Sequence, residues 1–199
     1  MDLLITLDTL FSSVNQTLLN NLFCLGLATA ALMNKRDNNV LLLVSVLLIP
    51  KLFDILFLNN FLLNSGLVKK HNFFLAVAAF DLIIMLMILF RAALFRLVSS
   101  VLLRAMAFLT MEPAGTYRVE LNYRRDADEF LIIKLYALAI LVSLVTSAEY
   151  AGRYYISEQI LVAYHAYTPL KVIISVIEIA VLFNIGFRSQ RNNNAIANR

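Results

Sequence analysis

The sequence predicts an all-α integral membrane protein with about five transmembrane helices, and three observations predict it. The 199 residues are 61% hydrophobic and 15% charged, with a mean hydropathy of +0.78. A soluble domain has roughly 45–50% apolar and about 25% charged residues, and its surface needs more polar cover than this chain can supply. Five apolar stretches, at about 16–34, 40–64, 72–90, 130–148 and 168–187, approach the roughly 20 residues that a bilayer helix requires. Period-2 alternation over successive segments, the mark of an outer-membrane barrel, is absent from most of the chain.

Stretch 16–34 is the least apolar, because Asn15, Gln16, Asn20 and Asn21 crowd its start. Ala28-Thr29-Ala30 imitates a signal-peptide cleavage site, but the leading MDLLITLD carries two aspartates and no base, the reverse of a signal n-region. The segment is expected to be retained, and either to span the membrane or to lie on it. In stretch 40–64, Pro50 removes a backbone hydrogen bond and crowds the carbonyl of Val46, which predicts a kink.

Stretch 72–90 does not stop at Arg91. RAALFRLVSSVLLRAMAF contains helix formers throughout, so the helix is expected to project to about Leu103. Residues 104–129 then read as a cytoplasmic loop with a small β-hairpin. Glu112-Pro113-Ala114-Gly115 is a turn signal, and Tyr117, Val119, Leu121 and Tyr123 alternate with Arg118, Glu120 and Asn122. Asp126, Asp128 and Glu129 lead into stretch 130–148, where acids favour a helix N-terminus.

Between the last two stretches, Tyr150, Tyr154, Tyr155, Tyr164 and Tyr167 suit a membrane–water interface, and residues 156–166 suit a short interfacial helix. Pro169 fits the first turn of the final span. Residues 188–199 form a polar, basic tail expected to be mobile near headgroups.

The basic residues set the expected threading. With the N-terminus outside and the C-terminus in the cytoplasm, the inner side holds Lys35, Arg36, Arg91, Arg96, Arg104, Arg118, Arg124, Arg125, Arg188, Arg191 and Arg199. The outer side holds Lys69, Lys70, Arg153 and Lys171, and Lys51 and Lys134 lie within spans. This asymmetry follows the positive-inside rule of a cytoplasmic, inner-type membrane. If stretch 16–34 lies on the surface, the N-terminus moves inside and the other four spans keep their direction. The net charge of +4 has the same origin, and no specific nucleic-acid binding is expected.

Charges inside the spans are the costliest feature. A central Lys or Asp costs about 2.5–3.5 kcal/mol on insertion scales, against about 0.3–0.6 kcal/mol returned by each Leu or Ile. Lys51 and Asp54 stand i, i+3 on one face of LLIPKLFDILF, close enough to pair. Asp81 lies midway along FFLAVAAFDLIIMLMILF; Glu178 lies near the centre of KVIISVIEIAVLFNIGF and shares a face with Lys171, about 10 Å away along the axis. Such groups turn toward a bundle interior or a water-filled path. Lys51, Asp54, Asp81, Lys171 and Glu178 are therefore expected to form a network, made either of ion pairs that fix packing or of groups lining a cation or proton route. A transporter would more strongly predict an internal repeat or paired broken helices, and a channel filter a glycine run; the chain has five glycines and none of these patterns.

The remaining chemistry is sparse. Cys24 is the single cysteine, so an internal disulfide is excluded. His71 and His165 lack metal-ligand spacing, and Met85, Met87 and Met106 read as packing residues. Asn15-Gln16-Thr17 matches a glycosylation sequon, a short pattern that recurs by chance. No GxSxG, HExxH or phosphate-cradling glycine loop occurs. No cofactor, metal or enzymatic activity is expected.

The expected function is that of a membrane sensor or anchor subunit, a homo-oligomer among membrane lipids that docks a soluble cytoplasmic protein in a regulatory, secretion or antiviral defence setting. Arg104, Tyr117, Val119, Leu121, Arg124 and Arg125 are the candidate docking residues. The alternative is an oligomeric ion channel or pore-forming effector using the midspan charges.

Overall fold

The computed structural model describes residues 2–14, 16–35, 37–54, 70–110, 127–152 and 162–197, with helical backbone alone at 2–3, 16, 70–71, 101–110 and 189–197. Among these residues seven helices follow in order: α1 (Asp2–Ser12), α2 (Gln16–Met33), α3 (Asn38–Phe53), α4 (Lys70–Leu89), α5 (Arg91–Thr110), α6 (Ala127–Gly152) and α7 (Val162–Ala197). No strand occurs among the described residues. Among the described residues, three helical segments are long and apolar enough to cross a membrane: Asn72–Leu89, Ala127–Gly152 and Val162–Arg188. Helices α1 and α2 pass that test together but bend by 67° at their junction. The described part of the second stretch is the 16-residue α3.

Helices α2, α7, α6, α4 and α3 contact one another in that order and close back from α3 to α2, forming a ring. One end of the ring is filled by a single apolar cluster drawn from all five helices. Leu27, Leu47, Ile88, Ile132 and Leu182 are its largest fully buried members. Close approach of α2 to α7 depends on small residues. A Cβ added at Gly26 would stand 3.3 Å from Leu182 Cβ, and one at Gly186 would stand 3.3 Å from Thr29 Cγ2. Gly26 and Ala30 thus supply the small-xxx-small spacing that lets helix backbones meet.

Side chains fix the helix ends. The Asp37 carboxylate accepts from the N–H groups of Asn39 (2.9 Å) and Val40 (3.4 Å), capping α3. Asn34 donates to the carbonyls of Ala30 (2.8 Å) and Ile185 (3.3 Å), tying the end of α2 to α7.

Several boundaries differ from the sequence expectation. Helix α5 continues through Thr110, so residues 104–110 are helical rather than part of a 104–129 loop. The reason is local: nothing in LLRAMAFLT breaks a helix before Pro113. Backbone bonding also crosses the α4–α5 junction, from Phe90 N–H to the Leu86 carbonyl and from Leu94 N–H to the Phe90 carbonyl. Helix α6 begins at Ala127, and the expected hairpin strand at 116–123 lies outside the described residues.

Helix α7 begins at Val162, before Pro169, which lies inside it. Its early start has a partner that sequence does not reveal: the Glu149 carboxylate of α6 accepts from the N–H groups of Ala163 (3.0 Å) and Tyr164 (2.7 Å). The same helix runs on to Ala197, so the stretch expected as a mobile tail is helical as far as that residue.

Candidate functional site

The ring has two chemically distinct ends. At the arginine end, Arg91 and Glu129 form a 2.8 Å ion pair with side chains 3% and 2% exposed, and Arg91 also donates to the Asn39 carbonyl at 3.2 Å. Beside it Asp128 accepts from Asn184 and Arg188, both at 3.2 Å. Arg91 thereby binds α6 and α3 to the α4–α5 junction. At the tyrosine end, Phe74 is surrounded by Tyr150, Tyr164 and Tyr167, with ring centroids 6.3, 6.2 and 4.9 Å away. Helix α1 packs on α7 there, and Asp8 Oδ2 stands 3.1 Å from His165 Nδ1.

Between these ends lies a cavity of about 390 Å³. All five ring helices line it: α2 through Phe23, α3 through Lys51 and its C-cap Asp54, α4 through Phe80 and Asp81, α6 through Tyr136, and α7 through Lys171 and Glu178. Phe11, Ser12 and Val14, from α1 and the residues after it, also border it. The apolar cluster separates the cavity from the arginine end, since Ile84 belongs to both the cavity wall and the cluster, while Ile88 and Leu182 lie a helical turn further on.

The cavity gathers the five charged residues singled out in the spans. Lys51 Nζ lies 3.3 Å from Asp54 Oδ2, and both side chains are partly buried. Lys171 is hydrogen-bonded to the Asp81 carboxylate, not to Glu178 on its own helix. The early start of α7 places Lys171 nine residues inside the helix, about 14 Å from its beginning, and at the height of Asp81. Both ammonium groups also lie over aromatic rings, Lys51 over Phe23 at 5.4 Å and Lys171 over Tyr167 at 5.9 Å.

Glu178 differs from the other four. The Tyr136 side chain interacts with its carboxylate, yet Oε1 is buried and has no hydrogen-bond partner among the described residues. Lys134, the remaining span lysine, is exposed on α6. No group of three or more His, Cys, Asp or Glu suited to a metal ion occurs among the described residues.

The docking residues expected from sequence cannot be joined to this site. Arg104 falls in α5 with its backbone alone described, and Tyr117, Val119, Leu121, Arg124 and Arg125 lie outside the described residues. Sequence reasoning missed Arg91 with Glu129, Asp8 with His165, and the Glu149 cap. The first left a signal: Arg91 ends one apolar run and Glu129 begins another, so two opposite charges mark the same end of adjacent helices. Comparison with protein-family models, characterised proteins and solved structures gave no match.

Proposed function

We propose that the chain is a non-catalytic, multi-pass sensor or anchor subunit of a cytoplasmic-type membrane, with the cavity as its receiving site. The five ring helices cross the bilayer, the arginine end faces the cytoplasm, and α5 with the end of α7 carries the response to a soluble partner. The docking contacts of that partner fall on Arg104 and residues 117–125. One observation carries the reading: a charged cavity lined by five helices ends on a packed apolar cluster and a buried ion pair. A conducting path must be continuous, whereas a receptor needs a closed floor through which occupancy can bias helix packing.

The alternative, an ion channel, draws on the same five charges and requires the cluster to part. Reconstitution into liposomes separates the two. The sensor reading expects potassium and proton flux at the level of protein-free vesicles, together with a soluble protein retained on the tagged chain and lost when residues 104–126 are replaced by a glycine–serine linker. Steady flux from the wild-type chain would overturn it.

A further inference from the structure

We propose that the cavity binds a small organic monocation, a protonated amine or quaternary ammonium group, with Glu178 as its counter-charge. The inference rests on reading the cavity as a receiving site and names the ligand class that fits it. Among the described lining residues there are three carboxylates and two ammonium groups. Each lysine is already engaged by an aspartate, Lys51 by Asp54 and Lys171 by Asp81. Neither positive charge is left over for an anion. The carboxylate left over is Glu178, which is 9% exposed, faces the cavity and has an Oε1 with no partner among the described residues. A buried carboxylate oxygen without a donor is costly, so an ammonium N–H placed there is strongly favoured, while a quaternary ammonium gains the charge attraction alone.

The walls select the kind of cation. A divalent metal needs several oxygen or nitrogen ligands converging on one point, and no such group occurs among the described residues. The space, about 390 Å³, far exceeds a bare ion and lies in the range of small-molecule sites. Phe23, Phe80, Tyr136 and Tyr167 present aromatic surface around it. Two of these rings already hold ammonium groups over their faces. Aromatic faces with one buried carboxylate are the recurring recognition chemistry for organic ammonium ions.

The same chemistry could come from a free amine or from the ethanolamine headgroup of a lipid, and the test distinguishes them. Calorimetric titration of the full chain in lipid-free detergent would use phenethylammonium, tetraethylammonium and the neutral analogue 2-phenylethanol. The proposal expects saturable binding of at least one of the two cations and none of the alcohol. It also expects at least tenfold weaker binding by Glu178→Gln at unchanged far-UV circular dichroism and elution volume. In nanodiscs, a free-amine site binds equally in phosphatidylglycerol alone and in mixtures with phosphatidylethanolamine, whereas a headgroup site loses its apparent affinity in the mixtures. Equal binding of cation and alcohol, no binding of either cation, or full affinity in a folded Glu178→Gln chain would each overturn the proposal. If that variant fails to fold, the charged and neutral pair still decides on the wild-type chain. Failure here leaves the liposome result intact, and flux through the wild-type chain would refute the sensor reading whether or not a cation binds.

Discussion

Replacing Glu129 with leucine should be the most damaging single change at the arginine end. The Arg91–Glu129 pair is 2.8 Å long, and its side chains are 3% and 2% exposed. At an effective dielectric of about 20, two unit charges at that distance attract by roughly 6 kcal/mol, an upper bound before desolvation is counted. Removing one partner of such a pair typically costs about 3–5 kcal/mol, because the other charge stays buried. Glu129→Leu leaves the guanidinium its bond to the Asn39 carbonyl but takes away the carboxylate, so the loss should fall in that range. This corresponds to a shift of roughly a hundredfold to several thousandfold in the folded-to-unfolded ratio. The double variant Arg91→Met with Glu129→Leu should regain at least half, since an apolar pair of similar volume needs no desolvation. Unfolding by sodium dodecyl sulfate in mixed micelles, followed by far-UV circular dichroism, would measure all three chains. A Glu129→Leu chain within about 1 kcal/mol of wild type, or a double variant no better than the single, would show that the buried pair does not hold this end together.

Three further outcomes follow from the packing and the caps. Gly26→Leu should separate α2 from α7 and cost about 1–3 kcal/mol by overpacking, because even a Cβ there already meets Leu182 at 3.3 Å. Gly26→Ala should cost less, and comparison of the two in the same unfolding assay checks the steric cause. Glu149→Ala should remove the carboxylate that accepts from Ala163 and Tyr164, lowering stability by about 0.5–2 kcal/mol and raising hydrogen exchange first at those two amides. Asp54→Leu should destabilise less than Glu129→Leu, since its pair with Lys51 is about a quarter exposed on each side. Adding Lys51→Leu should recover part of that loss in the same assay.

Much of the helical architecture could be read from composition and run length, because bilayer-scale apolar runs have few alternatives. The helix ends were harder, since they depend on contacts between distant parts of the chain. Pro169 looked like the start of the last span because proline is most at home there. Glu149 moves the start to Val162 by meeting the first free N–H groups from another helix. That shift of about two turns is also why Lys171 reads from sequence as an outer-edge residue on the same face as Glu178, when it lies deeper and reaches Asp81. Charges in apolar runs announced themselves by their cost. Arg91 and Glu129 left a weaker signal, because at the ends of runs they resemble ordinary loop charges until the meeting of α3, α4, α5 and α6 buries them. The 67° bend between α1 and α2, and helix α1 itself, were not read from the sequence.

A water-accessible charged cavity that ends on a closed apolar floor should expose one part of α7 to solvent and seal the next. The chain has one cysteine, Cys24, so a Cys24→Ser background accepts single reporters. Ser175 lines the cavity, and Leu182, two helical turns further along α7, is 1% exposed within the apolar cluster. In oriented proteoliposomes, a membrane-impermeant cationic methanethiosulfonate should modify Ser175→Cys from one face only and leave Leu182→Cys unmodified from both. Modification of Leu182→Cys, or of Ser175→Cys from both faces, would contradict the closed floor, and an unreactive Ser175→Cys would contradict the cavity itself.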